Sequence, residues 1–286
     1  MIICIVGPTG VGKTKLSVEL AKKYDAEIIN CDAMQVYKGL NIGTAKATKE
    51  ERQGIVHHLL DFVDVNINYT VADYQRDARQ ILQENAHKNL IFVGGTGLYL
   101  KAALWDYRFL EEENDTSYEE YSNEELYAMC LKKNPSCDIH VNNRKRLIRF
   151  LKRKEESPKA TPIYDAFYIG LTTEKEKLYS IINSRVDQMM DEGLLEEVQH
   201  FYTQNIRSKA LDTAIGYKEL YDYFDHKCSI EEAIEKIKQN SRRYAKRQYT
   251  FFKHQLPVVW FDVDYENFDN TIKEVEEYIN LNLTLF

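Results

Sequence analysis

Ile2-Ile3-Cys4-Ile5-Val6-Gly7-Pro8-Thr9-Gly10-Val11-Gly12-Lys13-Thr14, residues 2–14, governs how the rest of the chain is read. Five apolar, mostly β-branched residues make a short buried strand, and Leu16, Leu20 and Ala21 then fall at helical spacing within 13–24. Between them Gly7 to Thr14 fits G-x-x-x-x-G-K-[ST], so the motif stands in the strand, loop and helix context that gives it meaning. Glycines let backbone N–H groups turn inward towards phosphate oxygens, and the helix N-terminus adds partial positive charge. Lys13 supplies a point charge, and Thr14 is the candidate ligand for Mg²⁺. A diphosphate or triphosphate is therefore expected against Gly7, Thr9, Gly10, Val11, Gly12, Lys13 and Thr14.

Outward from this stretch the pattern alternates. A second strand spans 26–30 and runs into Cys31 and Asp32, a polar loop continues to Lys46, a helix covers 71–85, and a third strand covers 90–93. Strands alternating with helices imply a parallel sheet covered on both faces. Further strands are expected at 167–171 and 257–262, and helices at 175–201 and 229–252. The fold class is α/β: a P-loop NTPase-like parallel sheet with flanking helices, a small helical insertion and a largely helical C-terminal half. Residues 1–106 and 140–286 are expected to form the core, and 107–139 the insertion.

Composition narrows the functional classes. Of 286 residues 44% are apolar, with 20 Tyr and 12 Phe, which disfavours disorder, and apolar runs stop far short of the roughly 20 residues a bilayer span needs. Five scattered cysteines without a C-x-x-C pair argue against a disulfide framework or a zinc site and fit a reducing cytoplasm. Net charge is −7, so any polyanion must be held by local islands. One island carries Arg144, Lys145, Arg146, Arg149, Lys152, Arg153 and Lys154 with no acid between 142 and 154. A second, 241–261, carries Arg242, Arg243, Lys246, Arg247 and Lys253 with Tyr244, Tyr249, Phe251 and Phe252 interleaved. Such segregation points to nucleic acid, with solvated helix faces as the alternative. The acids Glu111, Glu112, Glu113, Asp115, Glu119, Glu120, Glu124 and Glu125 crowd a stretch that reads as a solvated linker.

Nucleotide hydrolases usually end a neighbouring strand in an Mg²⁺-holding Asp, whereas here 90–93 runs into Gly94-Gly95-Thr96-Gly97. The carboxylate comes instead as Asp32, a candidate metal ligand or general base, or else a turn cap. His57-His58 reads as structural, because adjacent side chains do not converge on one ion. Residue types alone leave open phosphoryl transfer by a small-molecule kinase and a nucleotide-switched RNA-binding regulator.

The chain resembles the tRNA dimethylallyltransferases, also called tRNA isopentenyltransferases, along nearly its whole length. The resemblance rests on Gly7 to Thr14, Asp32-Ala33-Met34-Gln35-Val36-Tyr37, Gly43-Thr44-Ala45-Lys46, His57-His58-Leu59-Leu60-Asp61 and Tyr69-Thr70-Val71-Ala72-Asp73-Tyr74. It continues through Gly94-Gly95-Thr96-Gly97-Leu98-Tyr99, the 142–149 segment, Ala214-Ile215-Gly216-Tyr217-Lys218-Glu219 and Ala245-Lys246-Arg247-Gln248; Ala33 stands where many members have Ser, and the insertion is short. The resemblance implies that the loop holds dimethylallyl diphosphate, with Thr9, Lys13, Thr14 and Mg²⁺ neutralising the leaving group. It implies transfer to N6 of adenosine 37 beside the anticodon, giving N6-dimethylallyladenosine and diphosphate, with Asp32 as base. The flipped base and its neighbours are then expected at Asp32, Ala33, Met34, Gln35 and Thr96. The anticodon stem-loop of the tRNA is expected along Lys145, Arg146, Arg149, Arg243, Lys246 and Arg247, on a cytoplasmic, monomeric enzyme that uses no membrane.

Overall fold

The computed structural model describes residues 1–109, 117–153 and 160–283. In chain order the elements are β1 (Ile2–Val6), α1 (Lys13–Lys23), β2 (Ala26–Asn30), α2 (Lys49–Arg52), β3 (His57–His58), α3 (Val71–Glu84), β4 (Asn89–Val93), α4 (Gly97–Leu104), α5 (Asn123–Lys133), α6 (Arg144–Lys152), β5 (Phe167–Thr172), α7 (Lys175–Asp191), α8 (Leu194–Thr203), α9 (Lys209–Thr213), α10 (Tyr217–Phe224), α11 (Ile230–Gln255), β6 (Val259–Asp262) and α12 (Phe268–Asn282). Among the described residues the strands form one parallel sheet in the order β3-β2-β4-β1-β5-β6. Strands β1, β2 and β4 are near-continuous apolar runs because helices cover both sheet faces. On one face α1 buries Leu16, Val18 and Leu20; each fully buried leucine contributes about 1.5–3 kcal/mol.

The chain leaves β1 towards β2 on one side and leaves β4 towards β5 on the other. A crevice therefore opens outside the carboxyl ends of these two neighbouring strands. The sequence expects one helix over 175–201, but Gly193, at φ 102, breaks it into α7 and α8. Helix α11 begins at a Ser229–Glu232 capping box and runs to Gln255, three residues beyond its expected end. No helix among the described residues is long and apolar enough to cross a membrane.

Two compact units divide the chain: Met1–Trp105 with Pro162–Phe286, and Asp106–Thr161. The second unit reaches past the expected boundary at residue 139 and takes in α6, because Leu147 of α6 packs with Leu126, Cys130 and Ile139 in a small core of its own. The acidic stretch is not a linker at its end, since Glu124 and Glu125 sit in the first turn of α5 and Glu125 closes a capping box with Ser122. Glu111, Glu112, Glu113, Asp115 and Lys154 lie outside the described residues.

Candidate functional site

The phosphate loop joins β1 to α1 with Gly12 as the helix N-cap, left-handed at φ 85. A Cβ on Gly12 would also stand 2.6 Å from the Phe268 ring, so no larger residue fits. Behind the loop Val11 is fully buried, which fixes it to the sheet. In front, Thr9, Gly10, Gly12, Lys13 and Thr14 line a cavity of about 780 Å³. Lys13 Nζ donates to the Pro8 carbonyl at 2.7 Å, which folds the ammonium back over the loop.

Asp32 reaches this loop across an intervening strand, because β4 lies between β2 and β1. The close approach depends on Gly94, where a Cβ would stand 2.2 Å from the Cys31 carbonyl oxygen. Asn30 steadies the turn: its side chain accepts the Asp32 N–H at 3.2 Å and donates to the Leu59 carbonyl at 2.9 Å. Asp32 Oδ1 accepts the Met34 N–H at 2.9 Å, and Oδ2 faces the space beside Gly95. The turn-capping role foreseen for Asp32 is thus real, through the N–H groups of Met34 and Gln35, and Asp32 also lines the cavity.

Two cations oppose this carboxylate. Arg185, on α7, donates from Nη1 to Thr9 Oγ1 at 3.1 Å and lines the same cavity as Lys13 and Asp32. Burial, with Arg185 adding to it, lowers Lys13 to about 8 against the opposing pull of Asp32. Burial also pushes Asp32 up, against the Met34 N–H and Lys13. Arg185 is lowered by burial too. The three charges leave a net positive site around a loop of inward N–H groups, which suits a polyanionic group. Sequence reasoning missed Arg185, although an arginine one turn from Ile182 and adjacent to Val186, on the buried stripe of α7, is a signal that a charge is turned inward.

The remaining sequence candidates divide clearly. Ala33, Met34 and Gln35 line the cavity, and Thr96 Oγ1 accepts the Ala33 N–H at 3.0 Å, so Thr96 positions this turn. Gln35 is itself engaged: Nε2 donates to the Thr44 and Ala45 carbonyls at 3.0 and 3.2 Å. That loop is gripped from α8 by Glu197, whose carboxylate accepts the N–H groups of Asn41, Ile42 and Gly43 and the Tyr217 hydroxyl. Arg243, Lys246 and Arg247 are all exposed on α11, and of the three Arg247 lines the cavity, its guanidinium 5.6 Å from the Tyr244 ring. Phe252 is core and Tyr244 lines the cavity, which separates the two aromatics considered as stacking partners. In the second unit Lys145, Arg146 and Arg149 are exposed on α6, while Arg144 is spent on the carbonyls of Tyr118, Glu119 and Tyr121. His58 Nε2 bonds Glu27 at 2.7 Å and His57 Nδ1 donates to the Ile55 carbonyl at 2.9 Å. The described residues contain no cluster of three His, Cys, Asp or Glu able to hold a metal.

The family model described as IPP transferase matches residues 35–255. A tRNA dimethylallyltransferase of Anoxybacillus flavithermus is 46% identical, over 97% of this chain and 96% of that protein. One of Bacillus subtilis is 44% identical over 92% and 90%. The crystal structure of the full-length tRNA isopentenylpyrophosphate transferase of Bacillus halodurans has a TM-score of 0.77 at 41% identity, covering 99% of this chain and 96% of that one. A structure of a eukaryotic dimethylallyltransferase acting on tRNA has a TM-score of 0.80 at 28% identity, covering 99% and 79%.

Proposed function

We propose, from the premise that the chain belongs to the IPP transferase family, that it transfers a dimethylallyl group from dimethylallyl diphosphate to N6 of adenosine 37 in tRNA. The observation that carries the reading is the meeting, in one cavity, of the phosphate loop, Lys13, Arg185 and Asp32. The diphosphate lies against the loop N–H groups, with Lys13 and Arg185 on its oxygens and Met34, Met189, Leu194 and Ile215 among the apolar walls left for the prenyl tail. As the allylic C–O bond breaks, charge builds on the departing diphosphate where these cations already stand. The adenine N6 lone pair forms the new C–N bond, and its proton passes to Asp32, because the amine is too weakly acidic to lose it beforehand. The adenine must leave its stack to enter the cavity.

The donor set fits Mg²⁺ bound with the substrate, since Thr14 offers a hard hydroxyl oxygen and Mg²⁺ takes most of its remaining ligands from phosphates and water. When bound it supplies charge neutralisation of the diphosphate.

Arg247 by the cavity and Arg146 in the second unit are assigned to RNA phosphates. Replacing either with Ala should weaken binding of the anticodon stem-loop and reduce the magnitude of the salt slope by about one unit. An unchanged slope returns that residue to a solvated helix face. The pH dependence of kcat/KM should be bell-shaped. Asp32 must be ionised to take the proton, and burial raises it, so the acid limb falls above the ordinary carboxylate range. Lys13 must be charged, and it loses its proton near pH 8, which sets the alkaline limb.

The deciding assay mixes purified protein, Mg²⁺ and unmodified tRNA with labelled dimethylallyl diphosphate, beside a parallel reaction with labelled ATP. Label entering RNA from the prenyl donor alone is the expected result. Consumption of ATP alone would replace the reading with phosphoryl transfer.

A further inference from the structure

We infer that Gln248 is the positioning residue that fixes the diphosphate end of the cavity to its adenine end, a reading that deepens the proposed function and rests on it. Gln248 is 4% exposed, and both ends of its amide are engaged. Oε1 accepts the Thr9 N–H at 3.1 Å and Nε2 donates to the Gly95 carbonyl at 3.1 Å. The first partner lies in the phosphate loop, and its hydroxyl is held on the other side by Arg185. The second follows β4, beside Asp32 Oδ2. One side chain therefore crosses from the carboxyl end of β1 to that of β4, the two strands between which the crevice opens. It does so from α11, which also carries Arg247 and Tyr244, whose hydroxyl meets Thr96 and Gln248.

The chemistry requires this residue type. The bridge needs one acceptor and one donor on a planar group at the end of a two-carbon stem; an ionised glutamate cannot donate and a lysine cannot accept. Its counterpart is equally specific. A Cβ on Gly95 would stand 1.9 Å from Gln248 Nε2, while its next neighbour outside that side chain, Asp32 Oδ2, is at an ordinary 3.6 Å. The backbone of Gly95 is not in the left-handed region, so space for Gln248, and not conformation, excludes a side chain there. Gly95 and Gln248, 153 residues apart, form one device.

A double-mutant cycle tests it. Inorganic diphosphate binding in the presence of Mg²⁺ is measured by calorimetry for the wild type, Gly95→Ala, Gln248→Ala and the double variant, beside anticodon stem-loop binding and single-turnover prenyl transfer. Each single variant should weaken diphosphate binding about tenfold, the scale of one or two lost hydrogen bonds, with stem-loop affinity unchanged. The double variant should bind no more weakly than Gln248→Ala, because the clash has gone. Gln248→Met keeps the volume and removes the bonds to Thr9 and Gly95 together with the contact to the Tyr244 hydroxyl. It should show the same tenfold loss, and an unaffected Met variant would reduce Gln248 to packing and overturn the inference. Additive penalties in the cycle, or a harmless Gly95→Ala, would overturn it as well. If the cycle behaves as expected while no prenyl group reaches RNA, the proposed function fails and the Gln248 bridge stands. Prenyl transfer with additive penalties leaves the function and removes the bridge, and a wild type that binds no diphosphate overturns both.

Discussion

Asp32→Asn should lower the single-turnover rate of prenyl transfer by about 10²- to 10⁴-fold, the range for losing a positioned general base, while RNA affinity stays unchanged. Asn is the informative replacement because its carbonyl can keep the Met34 N–H bond that Oδ1 accepts at 2.9 Å, so the 32–35 turn holds. What is removed is the second oxygen, beside Gly95, and the ability to take a proton there. The same substitution should raise the thermal unfolding midpoint at neutral pH. Burial lifts the Asp32 pKa in the folded protein, so the ionised form is a cost to folding, present while the group is charged and relieved as pH falls through the raised value. The stability gain should therefore be largest at neutral pH and fade in acid. A slower enzyme with a higher midpoint is the signature of a group kept for chemistry at the expense of the fold. A variant with normal single-turnover chemistry but lost RNA affinity would remove Asp32 from the base role.

The strand, loop and helix of residues 2–23 were legible because short-range pattern and motif agree there, and the same holds for β2, β4, β5 and α3. What the sequence does not reveal are partners fixed by distant parts of the chain. Asp32 is conspicuous after β2, but its path to the phosphate loop depends on Gly94 lying against Cys31, which sequence spacing does not express. Arg185 and Gln248 read as ordinary helix residues until α7 and α11 are laid over the carboxyl ends of the strands, where they take the hydroxyl and the N–H of Thr9. Arg144 shows the converse. It sits inside a clean basic island, yet its guanidinium closes the second unit onto the carbonyls of residues 118, 119 and 121. Charge segregation finds a surface, and only geometry says which charges on it are free of structural duty. The sequence puts the end of the insertion at residue 139, whereas Leu147 places α6 in the core of the second unit, a contact that periodicity alone does not express.

Lys13→Met should cut kcat/KM for the prenyl donor by about 10²- to 10³-fold, the loss associated with removing one preorganised group that meets developing negative charge. Lys13→Arg should not restore it. The Lys13 ammonium is folded back to 2.7 Å from the Pro8 carbonyl in a loop shaped around a point charge, and a planar guanidinium does not fit that contact. The sign of the stability effect again separates function from architecture. Burial and Arg185 lower Lys13 to about 8, so its charged form is disfavoured by folding at neutral pH, and the penalty fades as pH rises through that value. Met, of similar length and without charge, should leave the thermal midpoint unchanged or higher at pH 7. The two effects meet in the pH profile: the alkaline limb expected near pH 8 for the wild type should vanish from the residual activity of Lys13→Met, because the group that titrates there is gone. If the limb persists in the variant, another group sets it, and Lys13 acts on the diphosphate by something other than its charge. If instead the midpoint collapses along with activity, Lys13 holds the loop together, and the electrostatic account of diphosphate departure loses its main residue.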